Sequence, residues 1–228
     1  MKIYPVVHRH TEAQALKLTE QSFDAGADGV FLIDHLNQDP DILTSTYSYV
    51  RHAMGREAFI GVNYLSLHPA KAVEHLQRLF VGPDFPDALW ADNAVRYTPS
   101  VLDVKRQHEI PHNKLRYFGG VAFKGTASYT SDPYWASLLA DAAKDEVDVV
   151  TTSGPGTGLP AHVDKVSIMK AAIGNRELAL ASGVDSSNID TYKPHVDAVL
   201  VASSIETHSY SGEFDLAKLR ELVQAAHQ

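Results

Sequence analysis

Short apolar runs alternate along the chain with longer stretches whose apolar positions recur at helical spacing. The first run, residues 2–8 (KIYPVVH), reads as a buried strand ending at His8. Thr11 then reads as an N-cap, and Ala13, Leu16 and Phe23 give residues 12–23 a helical period. Gly26 stops that helix. Residues 28–33 (DGVFLI) form a second strand that finishes at Asp34 and His35. A helix from Asp39 to near Gly55 follows, then a strand at 58–62 ending in Asn63 and Tyr64. The third helix runs from His68 through Phe80, a turn occupies 83–86, and the strand at 88–90 ends at Asp92 and Asn93. A helix at 99–108, a strand at 115–123 ending at Lys124 and a helix at 133–143 continue the series.

The last third of the chain keeps the pattern but changes what stands after each strand. Residues 147–158 (VDVVTTSGPGTG) are a β-branched run that breaks into glycine and hydroxyl residues, with a helix at 162–173 beyond. Residues 178–181 lead into Ser182, Gly183 and Val184, and only a very short helix follows. Residues 196–201 lead into Ala202, Ser203 and Ser204, and the final helix spans 214–226. Eight strands and eight helices in strict alternation predict an α/β fold, a single (β/α)8 TIM barrel, as one domain over residues 1–228. The repeat averages about 28 residues, near the roughly 30 of a βα unit. An open doubly wound sheet is the rival, and it would need a glycine fingerprint in its first turn.

A barrel gathers the C-terminal ends of its strands at one mouth. The residues there are His8, Asp34, Asn63, Asp92, Lys124, Ser153, Ser182 and Ser203 with their neighbours. Lys124 follows a nearly apolar strand, so partial desolvation would lower its pKa and make it a base, a Schiff-base amine or a partner for an anion. Asp34 and Asp92 are candidate acid and base, with Asn63 and His8 completing the catalytic set. Asp28 and Asp148 stand at strand starts and read as structural. Backbone N–H groups and hydroxyls of Ser153, Gly154, Gly156, Thr157, Gly158, Ser182, Gly183, Ala202, Ser203 and Ser204 suit a phosphate. These loops match neither the P-loop nor the dinucleotide spacing. Tyr64, Trp90 and Tyr97 are placed to stack on a base, should the substrate carry one.

Composition narrows the ligand. The formal net charge is −8, with no polybasic run, which argues against nucleic acid. A bound anion is then small and held by backbone dipoles. Cysteine is absent, so neither disulfides nor thiol chemistry arise, and no apolar run is long enough for a membrane span. These features, with an N-terminus unlike a signal peptide, suit a cytoplasmic protein. Twelve histidines raise the question of a metal held by His8, Asp34 and a later carboxylate, but no metal or other cofactor is expected. His52, His68 and His75 read as surface residues of helices. Homo-oligomerisation is left open.

The segments FGGVAFK (118–124), VDVVTTSGPGTG (147–158) and ASGV…VDAVLVASSI, with DGVFLIDH at strand two, resemble the BtpA/SgcQ family over most of the chain. That resemblance implies a TIM barrel of the ribulose-phosphate-binding kind, with phosphate at the loops after strands seven and eight. It implies no particular reaction. This chain departs from the family where His8-Arg9-His10 passes directly into a helix, without a longer Gly/Pro segment. The sequence as a whole predicts an enzyme acting on a phosphosugar or phosphoribosyl compound, of isomerase or lyase type. The alternatives are a phosphoribosyltransferase or N-glycosidic-bond enzyme acting on a base such as adenine, and a non-catalytic phospholigand-binding assembly or regulatory protein.

Overall fold

Strands buried on both faces must pair in parallel and be covered by helices, and this chain satisfies both demands by closing on itself. The computed structural model describes residues 1–80, 84–94, 100–111 and 114–228. Its strands are β1 (Lys2–His8), β2 (Val30–Ile33), β3 (Ile60–Asn63), β4 (Ala88–Ala91), β5 (Arg116–Gly120), β6 (Val149–Ser153), β7 (Glu177–Ala181) and β8 (Ala198–Val201). They pair in sequence order, all parallel, and β8 returns to β1, which makes a closed (β/α)8 barrel and removes the open-sheet rival. The helices between them are α1 (Glu12–Asp24), α2 (Pro40–Met54), α3 (Pro69–Leu79), α4 (Val101–Gln107), α5 (Pro133–Ala143), α6 (Val163–Ile173), α7 (Ile189–Tyr192) and α8 (Leu216–His227). Side-chain oxygens of Thr11, Asp39, Ser100, Asp132 and Asp215 cap five of them, each accepting backbone N–H bonds of the first turn. Pro83, Pro99 and Tyr97 lie outside the described residues.

Alternation along each strand sorts the apolar residues into two layers. Ile3, Val7, Val30, Leu32, Val62 and their like pack outward against the helices. Inside the barrel, Tyr4, Phe31, Trp90, Phe118 and Phe123 fill one half, while β7 and β8 contribute Ala179, Ala181, Ala198 and Leu200. Gly61 is required by this packing, because a Cβ there would lie 2.3 Å from the Phe31 ring. The small residues of β7 and β8 leave room at their C-terminal ends, where a cavity opens.

The opposite, N-terminal end carries a device repeated four times. An aspartate precedes each even-numbered strand: Asp28, Asp87, Asp148 and Asp197. Its N–H donates to the carbonyl of Ile3, Ile60, Tyr117 or Leu178 on the preceding odd strand. Its Oδ2 accepts the N–H of that same residue at 2.7–2.8 Å. A basic side chain from an even-numbered helix completes each clamp. His227 of α8 reaches Asp28, Arg51 of α2 reaches Asp87, Lys105 of α4 reaches Asp148 and Lys170 of α6 reaches Asp197. Asp28 and Asp148, read as structural from their position, are two members of this set.

The strand expected at 115–123 stops at Gly120, and the reason is local. A Cβ on Gly120 would meet the Asp92 carbonyl at 1.9 Å, because the chain leaving β4 crosses there. Beyond it Val121 turns its N–H to Thr151 and Ala122 takes a left-handed φ of 48°.

Candidate functional site

The cavity at the barrel mouth is floored by Val6, Ile33, Trp90, Phe123, Ala181 and Leu200. Its walls divide by chemistry. On the β6–β8 side stand Thr157, Gly158, Ser182, Gly183, Ala202, Ser203 and Ser204. The backbone N–H groups of Thr157, Gly158, Gly183, Ser203 and Ser204 make no hydrogen bond to any described residue, nor do the hydroxyls of Ser203 and Ser204. Ile205 and Glu206 both turn their N–H back to the Ala202 carbonyl, so residues 202–206 form one helical turn whose first N–H groups are unspent. A wall of free donors without a carboxylate is matched to an oxyanion.

The facing wall holds His8, His35, Asp92, Lys124 and Tyr210. Asn63, at the end of β3, donates to Asp92 Oδ1 at 3.1 Å. Burial raises the Asp92 carboxyl above the usual range, against the opposing pull of Asn63 and Lys124. Burial lowers the Lys124 ammonium, and the nearby Asp92 charge only partly offsets this. No ion pair joins the two, and each is pushed toward its neutral form. Lys124 is held through its backbone, whose N–H donates to Ser153 Oγ at 2.8 Å.

His8 has a partner that sequence reasoning missed. Its Nδ1 lies 2.8 Å from Oε1 of Glu206, a fully buried side chain in the loop after β8. Tyr210, in the same loop, packs on the His8 and His35 rings with centroids 4.8 and 5.1 Å away. His35 is lowered to about 4 by burial, with neighbouring His8 and Lys124 adding to it, so its imidazole is neutral at ordinary pH.

Several residues expected at the mouth or on the surface lie elsewhere in the structure. Asp34 does not reach the cavity, because it shares the outward face of β2 with Leu32. Its Oδ1 accepts the N–H groups of Leu36 and Asn37 at 3.1 Å and shapes the loop that carries His35. Ser153, Gly154 and Gly156 are not in the cavity lining either. Gly154 and Gly183 lack a side chain because the 159–160 backbone passes over them, within 2.0 and 2.3 Å of where a Cβ would stand. Gly156 supports that crossing through its carbonyl, which accepts from Ser182 Oγ at 2.8 Å. His75 is buried rather than superficial, sharing Thr44 Oγ1 with Tyr64, which faces the helices and not the cavity. Among the described residues, no group of three His, Asp or Glu side chains converges to hold a metal.

Fold and site together define a (β/α)8 barrel with its cavity at the C-terminal mouth. Solved structures share that architecture over the whole chain. Phosphoribosyl anthranilate isomerase from Thermus thermophilus is 16% identical, covers 100% of this chain and 98% of its own, and superposes with a TM-score of 0.68. The enzyme from Thermotoga maritima is 14% identical with a TM-score of 0.68 and the same coverage. Monomers generated from that dimeric enzyme give 12% and 0.66, again over 100% and 98% of the two chains. At these identities the likeness is one of fold. No protein-family model and no curated protein matches the chain.

Proposed function

We propose that the protein is an isomerase-type enzyme acting on a phosphorylated sugar, with phosphoribosyl compounds as the preferred class. The observation that supports this most is the division of the cavity. Unspent N–H groups at Thr157, Gly158, Gly183, Ser203 and Ser204 share the cavity with the acid–base groups His8, His35, Asp92 and Lys124. The phosphate sits on the donor wall and fixes the sugar, so its remote binding energy is available to orient the reacting carbons. The similar barrels, phosphoribosyl anthranilate isomerases by name, agree with a substrate of this class.

Sugar isomerisation needs a base to remove a proton from the carbon beside the carbonyl or ring carbon, and an acid to protonate the sugar oxygen. With Nδ1 engaged by Glu206, His8 offers Nε2 as the base. Asp92, raised by burial, is the acid. Once it has given up its proton, the neighbouring Lys124 ammonium stabilises the carboxylate. Asn63 orients Asp92 through its amide.

The test is proton NMR of ribose 5-phosphate and ribulose 5-phosphate incubated with the protein in D2O. Interconversion, or deuterium entry at the carbon beside the carbonyl, is expected. Asp92→Asn should slow it by about 10²- to 10⁴-fold while leaving phosphate-dependent binding intact. An Asp92→Asn variant with full activity contradicts the assignment.

A further inference from the structure

We propose that Glu206 is a positioning residue that couples the protonation form of His8 to the placement of Tyr210 at the cavity rim. The inference rests on the reading of His8 as the base. Glu206 lies 198 positions from His8 in sequence, yet its side chain is fully buried against it. Its two oxygens have separate duties. Oε1 meets His8 Nδ1 at 2.8 Å, and Oε2 accepts the Tyr210 N–H at 2.9 Å.

A carboxylate only accepts, so both of its partners must donate. His8 therefore carries a hydrogen on Nδ1, and in the neutral imidazole the bare nitrogen is then Nε2. The second bond holds a conformation that a tyrosine does not adopt freely. Tyr210 has a left-handed φ of 61°, a region that favours glycine. The loop around it is closed by Thr207 N–H to the Glu213 carbonyl and Asp215 N–H to the Ile205 carbonyl. So held, the Tyr210 ring rests on His8 and His35, and its hydroxyl lies 3.4 Å from Thr157 Oγ1 on the donor wall. One buried carboxylate thus sets the base and fixes the residue that links the two walls.

Glutamine in place of Glu206 cannot do both. With its amide oxygen toward Nδ1–H, its NH2 opposes the Tyr210 N–H and the loop is released. With the amide reversed, NH2 donates to Nδ1 and drives the ring hydrogen to Nε2. The experiment is 15N NMR of the histidine rings of the whole protein at pH 8, with hydrogen exchange of the Tyr210 amide, for wild type and Glu206→Gln. In wild type, Nδ1 of His8 should be protonated, Nε2 bare and the Tyr210 amide protected. In Glu206→Gln, either the hydrogen moves to Nε2 or Tyr210 exchanges at least about tenfold faster, the equivalent of one lost charged hydrogen bond. A wild-type His8 with a proton on Nε2 overturns the proposal, and that spectrum decides even if the variant fails to fold. A Glu206→Gln protein that keeps both features overturns it as well. Neither readout needs a substrate, so the outcome is independent of the isomerisation assay.

Discussion

Burial, more than pairing, sets the charge state of single side chains around this barrel mouth. Asp92 and Lys124 are both displaced toward neutrality although each would favour the other's charge. Lys165 is a sharper case. It is 1% exposed on α6, and its Nζ donates to the Ala122 and Ser153 carbonyls at 2.8 Å and faces the Tyr129 ring, with no carboxylate as partner. Burial lowers it from 10.5 to about 8. A depressed folded pKa means the unfolded chain holds the proton more tightly. The contribution of Lys165 is then fully present above about pH 10.5 and lost as pH falls through about 8. The stability difference between wild type and Lys165→Met should rise across that window in wild type's favour by a few kcal/mol, on the order of 1.4 per pKa unit. Denaturant titrations at pH 7, 8, 9 and 10 measure it, and a flat difference would show that the ammonium is solvated. Which residues reach the cavity was partly legible. His8, Asp92 and Lys124 stand directly after apolar strands and line it. Asp34 stands in the same way and does not, because VFLI is apolar on both faces and its alternation carries no signal. Glu206 and Tyr210 follow no periodic run, and only the closed fold brings them beside His8.

At the scale of elements, the barrel is made of four quarters, each an odd strand, an even strand and the aspartate between them. The alternation of apolar runs and helical stretches was enough to find all sixteen elements, and α5 falls on the residues its pattern marks. Ends were less legible where a neighbouring segment decides them, as at Gly120. The fourfold clamp was only half visible. An aspartate before a strand is ordinary turn chemistry, and its reciprocal bond to a residue some 20 to 30 positions earlier has no local signature. Truncating a clamp aspartate to alanine leaves a strand N–H without its acceptor and a basic helix side chain without its carboxylate, costing about 1–3 kcal/mol. Exposure orders the set. Asp148 is 20% exposed, Asp87 28%, Asp28 32% and Asp197 40%. Thermal or chemical unfolding should therefore find Asp148→Ala the most destabilised and Asp197→Ala the least. A reversed order would locate the stability elsewhere than in these bonds.

Over the whole molecule, the two ends of the barrel do different work. The clamps bind the N-terminal end through aspartates bonded to strand N–H groups and basic helix side chains, while the C-terminal mouth leaves donors unspent and acid–base groups displaced from their ordinary ionisation. This is the division a (β/α)8 fold favours, with stability at one face and chemistry at the other. The chain's net charge of −8 would repel an anion at long range, so the proposed phosphate recognition depends on the local donor wall. Unfolding of the intact protein against ribose 5-phosphate, inorganic phosphate and unphosphorylated ribose tests this most directly. A ligand at a hundred times its dissociation constant adds about 2.7 kcal/mol of stability. Ribose 5-phosphate should raise the transition strongly, phosphate less, and ribose not at all. Stabilisation by ribose equal to that by its phosphate, or no shift with any of the three, would contradict a phosphorylated sugar as the ligand of this cavity.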